Sequence, residues 1–227
     1  MDLSPNFHSS LLGWWHSHQR RYTWRETTNP YHVLVAEVLL HRTRADQVQP
    51  LYHELLGTYP TVRDLAAARD EDVHKILAPA GLRWRVDTLL RCAREIMNRH
   101  AGDVPAGKAD LEALPGIGHY IAAAVRCFAF GYPDAVVDTN TVRIASRVFG
   151  FRVNDSSRRN RAVHQHVKGL VSPTTARESN LALLDLGALV CTARKPACES
   201  CPVRAFCITG RGFAVESTLE AERSDYC

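Results

Sequence analysis

Four cysteines near the C-terminal end of the 227-residue sequence, Cys191, Cys198, Cys201 and Cys207, stand in the spacing C-x6-C-x2-C-x5-C within CTARKPACESCPVRAFC. Sulfurs gathered this tightly are too compact for a disulfide framework. They suit a tetrahedral soft-metal site. The chemistry is open between zinc and a cubane iron–sulfur cluster, because both accept four thiolates and both tie folding to the metal. Cys92 and Cys127 fall inside apolar helical patterns and read as small core residues, while Cys227 sits on the tail.

A second group is LPGIGHY, residues 114–120, which sets Gly116 and Gly118 around Ile117 just before an apolar stretch of helical spacing. Glycine at both turn positions lets backbone N–H groups point outward with no Cβ in the way, and the following helix adds the positive end of its dipole. Such a turn grips phosphate, with Leu114, Gly116, Ile117, Gly118 and His119 as the candidate contacts. Downstream, in AVVDTNTVRIASRVFG, Asp138 reads locally as the N-cap of a helix beginning near Asn140. Upstream, Glu37 is a single acid at helical spacing among Val33, Leu34, Val38 and Leu40. A buried carboxylate costs stability unless paired or protonated. Glu37 therefore slips to a polar edge of the helix, or pairs with an arginine such as Arg42, or is an acid kept for proton chemistry.

The elements that position these residues are helical. Apolar spacing predicts helices over 8–19, 31–44, 46–57, 61–69, 71–78, 84–99, 109–113, 119–130, 140–149, 160–170 and 179–190, and no stretch alternates as a strand does. Thr61 and Asp70 read as N-caps, and Gly81, Gly102 and Gly150 as residues that end helices. Residues 211–227 lack an apolar face and read as a flexible tail.

Composition sets the outer bounds. A hydrophobic content of 45% fills one large core or two small ones. No apolar run approaches the roughly 20 residues of a membrane span, and MDLSPNFHSS lacks the order of a signal peptide, so a cytoplasmic, nucleoid-associated protein is expected. The net charge of +4 and pI near 8.7 permit a polyanionic partner. Lys75, Lys108, Lys168 and Lys195 are the only lysines, so chemistry that needs an amine has four candidates.

The cysteine spacing and the hairpin followed by Asp138 together resemble the helix-hairpin-helix superfamily of DNA glycosylases, the endonuclease III and MutY family. The resemblance runs from about residue 7, through YTWRETTNPY, to about residue 208. It implies an all-α, two-lobed helix-hairpin-helix DNA glycosylase fold with a [4Fe–4S] cluster loop. The expected parts are a six-helix barrel over 26–135, a cluster domain from 1–25 plus 136–210, and the tail. It makes the cluster the cofactor of Cys191, Cys198, Cys201 and Cys207, and sets Arg194, Lys195 and Arg204 near phosphates. It makes Asp138 the essential carboxylate, a role compatible with capping, and Glu37 a helper in base departure or in placing water.

Within that family, endonuclease III-type members carry a lysine in the hairpin helix that attacks the sugar. Here the corresponding residue is Tyr120, which implies a monofunctional enzyme using water. MutY-type adenine glycosylases typically have serine there, a Gln-Gln-Thr run after the glutamate and an added C-terminal domain. This sequence has Tyr120, His41-Arg42-Thr43 and no room for that domain. It looks instead like archaeal-type thymine–DNA mismatch glycosylases. Tyr120 would then stack on a flipped pyrimidine or fill the volume a purine needs, Arg42 would read the unpaired guanine or touch phosphate, and Leu82 would fill the gap left by the base. The implied partner is double-stranded DNA holding a mismatched or damaged base, bound by a monomer with salt-sensitive affinity. Two alternatives stand beside this: an adenine glycosylase acting opposite guanine or 8-oxoguanine, and a non-catalytic DNA-binding protein of the same fold.

Overall fold

The computed structural model describes residues 5–41, 43–78, 83–154 and 156–212; the Arg83 side chain is outside the description. Among these residues the secondary structure is helical throughout, with no strand. Eleven α-helices are described: α1 Pro5–His18, α2 Pro30–Leu40, α3 Ala45–Thr58, α4 Val62–Ala67, α5 Asp70–Leu77, α6 Arg83–His100, α7 Lys108–Ala113, α8 His119–Phe130, α9 Thr139–Phe149, α10 Arg161–Gly169 and α11 Ala176–Leu189. None among them is long and apolar enough to cross a membrane.

Local signals account for most boundaries. Thr61 caps α4 through a capping box with Asp64, and Gly150 ends α9 in the left-handed region at φ 76°. Two expectations need correction. The N-cap of α5 is Arg69, not Asp70, whose carboxylate instead pairs with the Arg94 guanidinium of α6 at 2.5 Å. The helix expected over 31–44 ends at Leu40. The Leu39 carbonyl, which a continuing helix would offer to the Thr43 N–H, accepts from Nη1 of Arg85 at 2.9 Å, and the Thr43 N–H turns to Leu40.

The chain divides into two compact units, residues 21–132 and residues 1–20 with 133–227. The sequence expectation put these boundaries at 25/26 and 135/136. They fall earlier because of how the joining segments are held. Tyr22 stacks on Trp24, which packs edge-on to Tyr52 of α3, so the chain after Arg20 enters the first unit. The Val136 N–H donates to Asn180 Oδ1 of α11 at 2.9 Å, so the return segment already belongs to the second. In the first unit α2 packs on α8 and α4 on α6. In the second, α11 packs on α1 and α9. Its N-terminal helix is tied in by Asp185, which is fully buried and accepts from Trp15 Nε1 at 2.9 Å and from Arg20 Nε at 2.6 Å.

Candidate functional site

Glu37 lies on a helix with no polar side to escape to. Asn29 accepts from the Tyr31 and His32 amides and Pro30 opens α2, after which every residue from Val33 to Leu39 is buried, Glu37 at 5% exposure among them. The carboxylate is therefore held inside the unit; it does not slip to a wet edge. Tyr120, half-buried in the first turn of α8, stands on the helix packed against α2. Arg42 and Leu82 lie outside the described residues. Two residues after Leu82 is a residue the spacing did not single out: Trp84, 55% exposed, with Arg85 over its ring and His41, the sequence neighbour of Arg42, edge-on to it.

In the hairpin between α7 and α8, Leu114 and Ile117 are buried, so they anchor the turn and only their backbones are available to a ligand. Gly116, Gly118 and His119 are exposed. The two glycines serve different ends. Gly116 sits at φ 75°, where a Cβ would also run into the Thr88 methyl, so the fold itself requires glycine. Gly118 has φ −91°, and a Cβ there would meet nothing within 4 Å. Nothing inside the protein demands glycine at 118; what its absence of a side chain opens is the outer face, where α8 begins without a side-chain cap. Gly116→Ala is therefore expected to cost more than about 1 kcal/mol of stability. Gly118→Ala should leave the melting temperature unchanged and weaken duplex binding, a contrast that thermal denaturation and fluorescence anisotropy check together.

In the other unit, Asp138 is the N-cap of α9. Its Oδ1 accepts the Thr141 N–H at 2.7 Å, its own N–H donates to Thr141 Oγ1 at 2.9 Å, and its Oδ2 accepts from Asn140 Nδ2 at 2.8 Å. It remains partly exposed. The cap fixes the direction of the carboxylate and sets its charge at the favourable end of the helix dipole. The segment entering α9 is held by Asn180, which donates to the Asp134 carbonyl as well as accepting from Val136. Behind Asp138, Asn140 Oδ1 accepts from Arg143 Nη2 at 2.9 Å, and Arg143 Nε donates to the Cys191 carbonyl at 2.8 Å. A continuous set of bonds thus joins the carboxylate to the cysteine loop. Gly187 permits it, since a Cβ there would come within 2.7 Å of the Asn140 Cβ. Arg143 and Gly187 carried no sequence signal, because the bonds from Arg143 to the Gly187 and Cys191 carbonyls span 44 and 48 residues of chain.

The structure brings the four cysteines of the loop together: Cys191, Cys198 and Cys207 all act electrostatically on Cys201, whose thiol is pushed up to about 11, chiefly by burial. Burial likewise raises Cys207. Two donors aim at sulfur: Arg147 Nη1 at Cys191 Sγ and the Gly210 N–H at Cys207 Sγ, both at 3.2 Å. Donors of this kind favour thiolate ligands. The donor set fits an iron–sulfur cluster. Cys92 and Cys127 are buried apart from it, as expected of core residues, and Cys227 lies outside the described residues.

Comparison with known proteins agrees with this architecture. Residues 35–171 match the HhH-GPD superfamily base excision DNA repair protein family, and residues 191–207 match the iron–sulfur binding domain of endonuclease III. The chain is 35% identical over 202 residues to a thymine/uracil-DNA glycosylase of Methanothermobacter thermautotrophicus, covering 88% of this chain and 91% of that protein. A solved structure of a thermostable thymine-DNA glycosylase superposes with a TM-score of 0.85 at 34% identity, covering 90% and 95% of the two chains. An adenine DNA glycosylase of Homo sapiens is 34% identical over 214 residues, but those residues are only 39% of its length.

Proposed function

Because this chain belongs to the HhH-GPD superfamily of base excision DNA repair proteins and carries the iron–sulfur binding segment of endonuclease III over residues 191–207, we propose that it holds the cluster on Cys191, Cys198, Cys201 and Cys207 and excises thymine or uracil mispaired with guanine. It is a DNA N-glycosylase: it hydrolyses the bond between base and sugar and leaves an abasic site in an unbroken strand. The observation that carries the monofunctional part of this reading is α8. Its second residue is Tyr120, and no lysine lies anywhere on the helix, so the helix that would present the attacking amine offers none to form a covalent link to the sugar.

The roles follow from the positions. Breaking the glycosidic bond leaves positive charge on the sugar, which Asp138 stabilises, aimed by its cap and by Asn140, while it orients the attacking water. Glu37, a carboxyl surrounded by apolar residues, assists departure of the base by proton donation or hydrogen bonding. Tyr120 stacks on the extruded pyrimidine and takes the room a purine would need. The hairpin amides from Gly116 to His119 bind phosphate. The four cysteines would hold the cluster away from bond cleavage, and its ligation would fix the loop from which the Cys191 carbonyl accepts from Arg143.

The test is a strand-labelled duplex with one T:G pair, incubated with excess enzyme and read with and without alkali. Cleavage only after alkali is expected, because an abasic site survives until base-treated. Strand breaks without alkali would overturn the water-using mechanism. Tyr120→Ser should lower the release of thymine while leaving the cluster's visible absorption intact.

A further inference from the structure

The positive charge of this chain is concentrated. Residues 139–177 hold eight arginines and lysines against one acid, Asp155, a net +7 compared with +4 for the whole sequence. The inner members of this set are used by the fold: Arg143 and Arg147 donate to carbonyls of the cysteine loop. The outer members are not. Arg152, Arg158, Arg159, Arg161 and Lys168 are exposed, and among the described residues none of these side chains has a carboxylate within ion-pair distance or a hydrogen-bond acceptor.

The fold gains nothing from this arrangement and is opposed by it. Arg158, Arg159 and Arg161 gather at the N-terminus of α10, the end where the helix dipole already repels cations, and no acid lies in that first turn. They are held there firmly. Asn154 Oδ1 accepts from the Ser156 N–H and hydroxyl, the Asn154 N–H donates to buried Ser157 Oγ, and the Arg158 carbonyl bonds His164 Nε2. On α10, Val163 and Val167 face inward, which turns Arg161, Gln165 and Lys168 outward along one face. Repelled cations on a held backbone, with no partner among the described residues, are completed by an external polyanion.

We infer that this arginine surface binds phosphates of the duplex flanking the target, an inference that rests on the glycosylase reading above. The surface begins at Arg152, just beyond the C-terminal end of α9, whereas Asp138 caps the N-terminal end; eleven helical residues put about 16 Å between those ends. With α9 laid along the duplex, as this inference has it, about 3.4 Å per base pair puts the arginines about five or more pairs from the nucleotide at Asp138. Arginine with exposed amide and hydroxyl neighbours suits phosphate, and Val153 is the one large hydrophobic residue exposed in the patch among the described residues, too little apolar anchorage for a protein partner.

The experiment compares the parent with a triple variant, Arg158→Gln, Arg159→Gln and Arg161→Gln, on two T:G duplexes: one of about nine base pairs, reaching about 14 Å either side of the mismatch, and one of about thirty. Binding is read by anisotropy across a salt series, and base release in a single turnover at saturating enzyme. The variant is expected to bind the long duplex at least about tenfold more weakly, with the slope of log affinity against log salt shallower by about two to three. Its affinity for the short duplex and its saturated rate should match the parent. Equal binding of the long duplex by both proteins overturns the inference, as does equal weakening on both lengths, which would put the arginines at the target. Failure of the parent to release any base overturns the glycosylase reading instead, and leaves the length comparison to be judged on binding alone.

Discussion

An Asp138→Asn enzyme releases base about 10²–10³ times more slowly than the parent in a single turnover, while keeping its fold. The substitution isolates charge from structure. Asparagine is as good an N-cap as aspartate, so its Oδ1 still accepts the Thr141 N–H and α9 still starts at Thr139. What is lost is the negative charge opposite the developing sugar cation, together with the acceptor that faces Asn140 Nδ2. Asp138→Ala loses both, and adds about 1 kcal/mol of instability from the missing cap. A parental rate for the asparagine variant, with the melting temperature unchanged, would reduce Asp138 to a capping residue.

The second large effect is on stability. Asp185→Ala is expected to destabilise the protein by about 3–5 kcal/mol, read as a lower urea midpoint at unchanged slope. Asp185 is fully buried in α11 and serves three donors on the N-terminal segment: Trp15 Nε1, the Arg20 backbone N–H and Arg20 Nε. Alanine leaves a buried indole N–H unsatisfied and deprives the Arg20 guanidinium of its counter-charge. It also frees α1 from the helix it packs against. A loss below about 1 kcal/mol would mean that the packing of Phe7 and Leu11 alone holds α1 in place, with Asp185 redundant.

Residues whose signal is local were readable. The capping box at Thr61, the left-handed Gly150, the cysteine spacing and the hairpin glycines all act within a few positions of themselves, and sequence spacing preserves that information. Even Asp138 was readable as a cap, because its partner Thr141 is three residues on. What escaped depends on pairs distant in sequence. Asp185 reaches Trp15 across 170 residues, Arg143 reaches the Cys191 carbonyl across 48, and the break after Leu40 follows from Arg85 taking the Leu39 carbonyl 46 residues away. Asp70 was misread for the same reason: its local context suits a cap, but Arg94, 24 residues on, claims the carboxylate. Gly116 and Gly118 looked equivalent in sequence; the left-handed backbone at Gly116 and Thr88, brought close by α6, separate the glycine the fold needs from the one that faces outward.

The most direct measurement is single-turnover base release from four duplexes that differ only in one pair, T:G, U:G, A:G and A:8-oxoguanine, each read with and without alkali. Alkali-dependent cleavage confined to T:G and U:G is the expected result, and it assigns to Tyr120 a pocket that takes pyrimidines. Release of adenine from either purine pair, with thymine left in place, would contradict it.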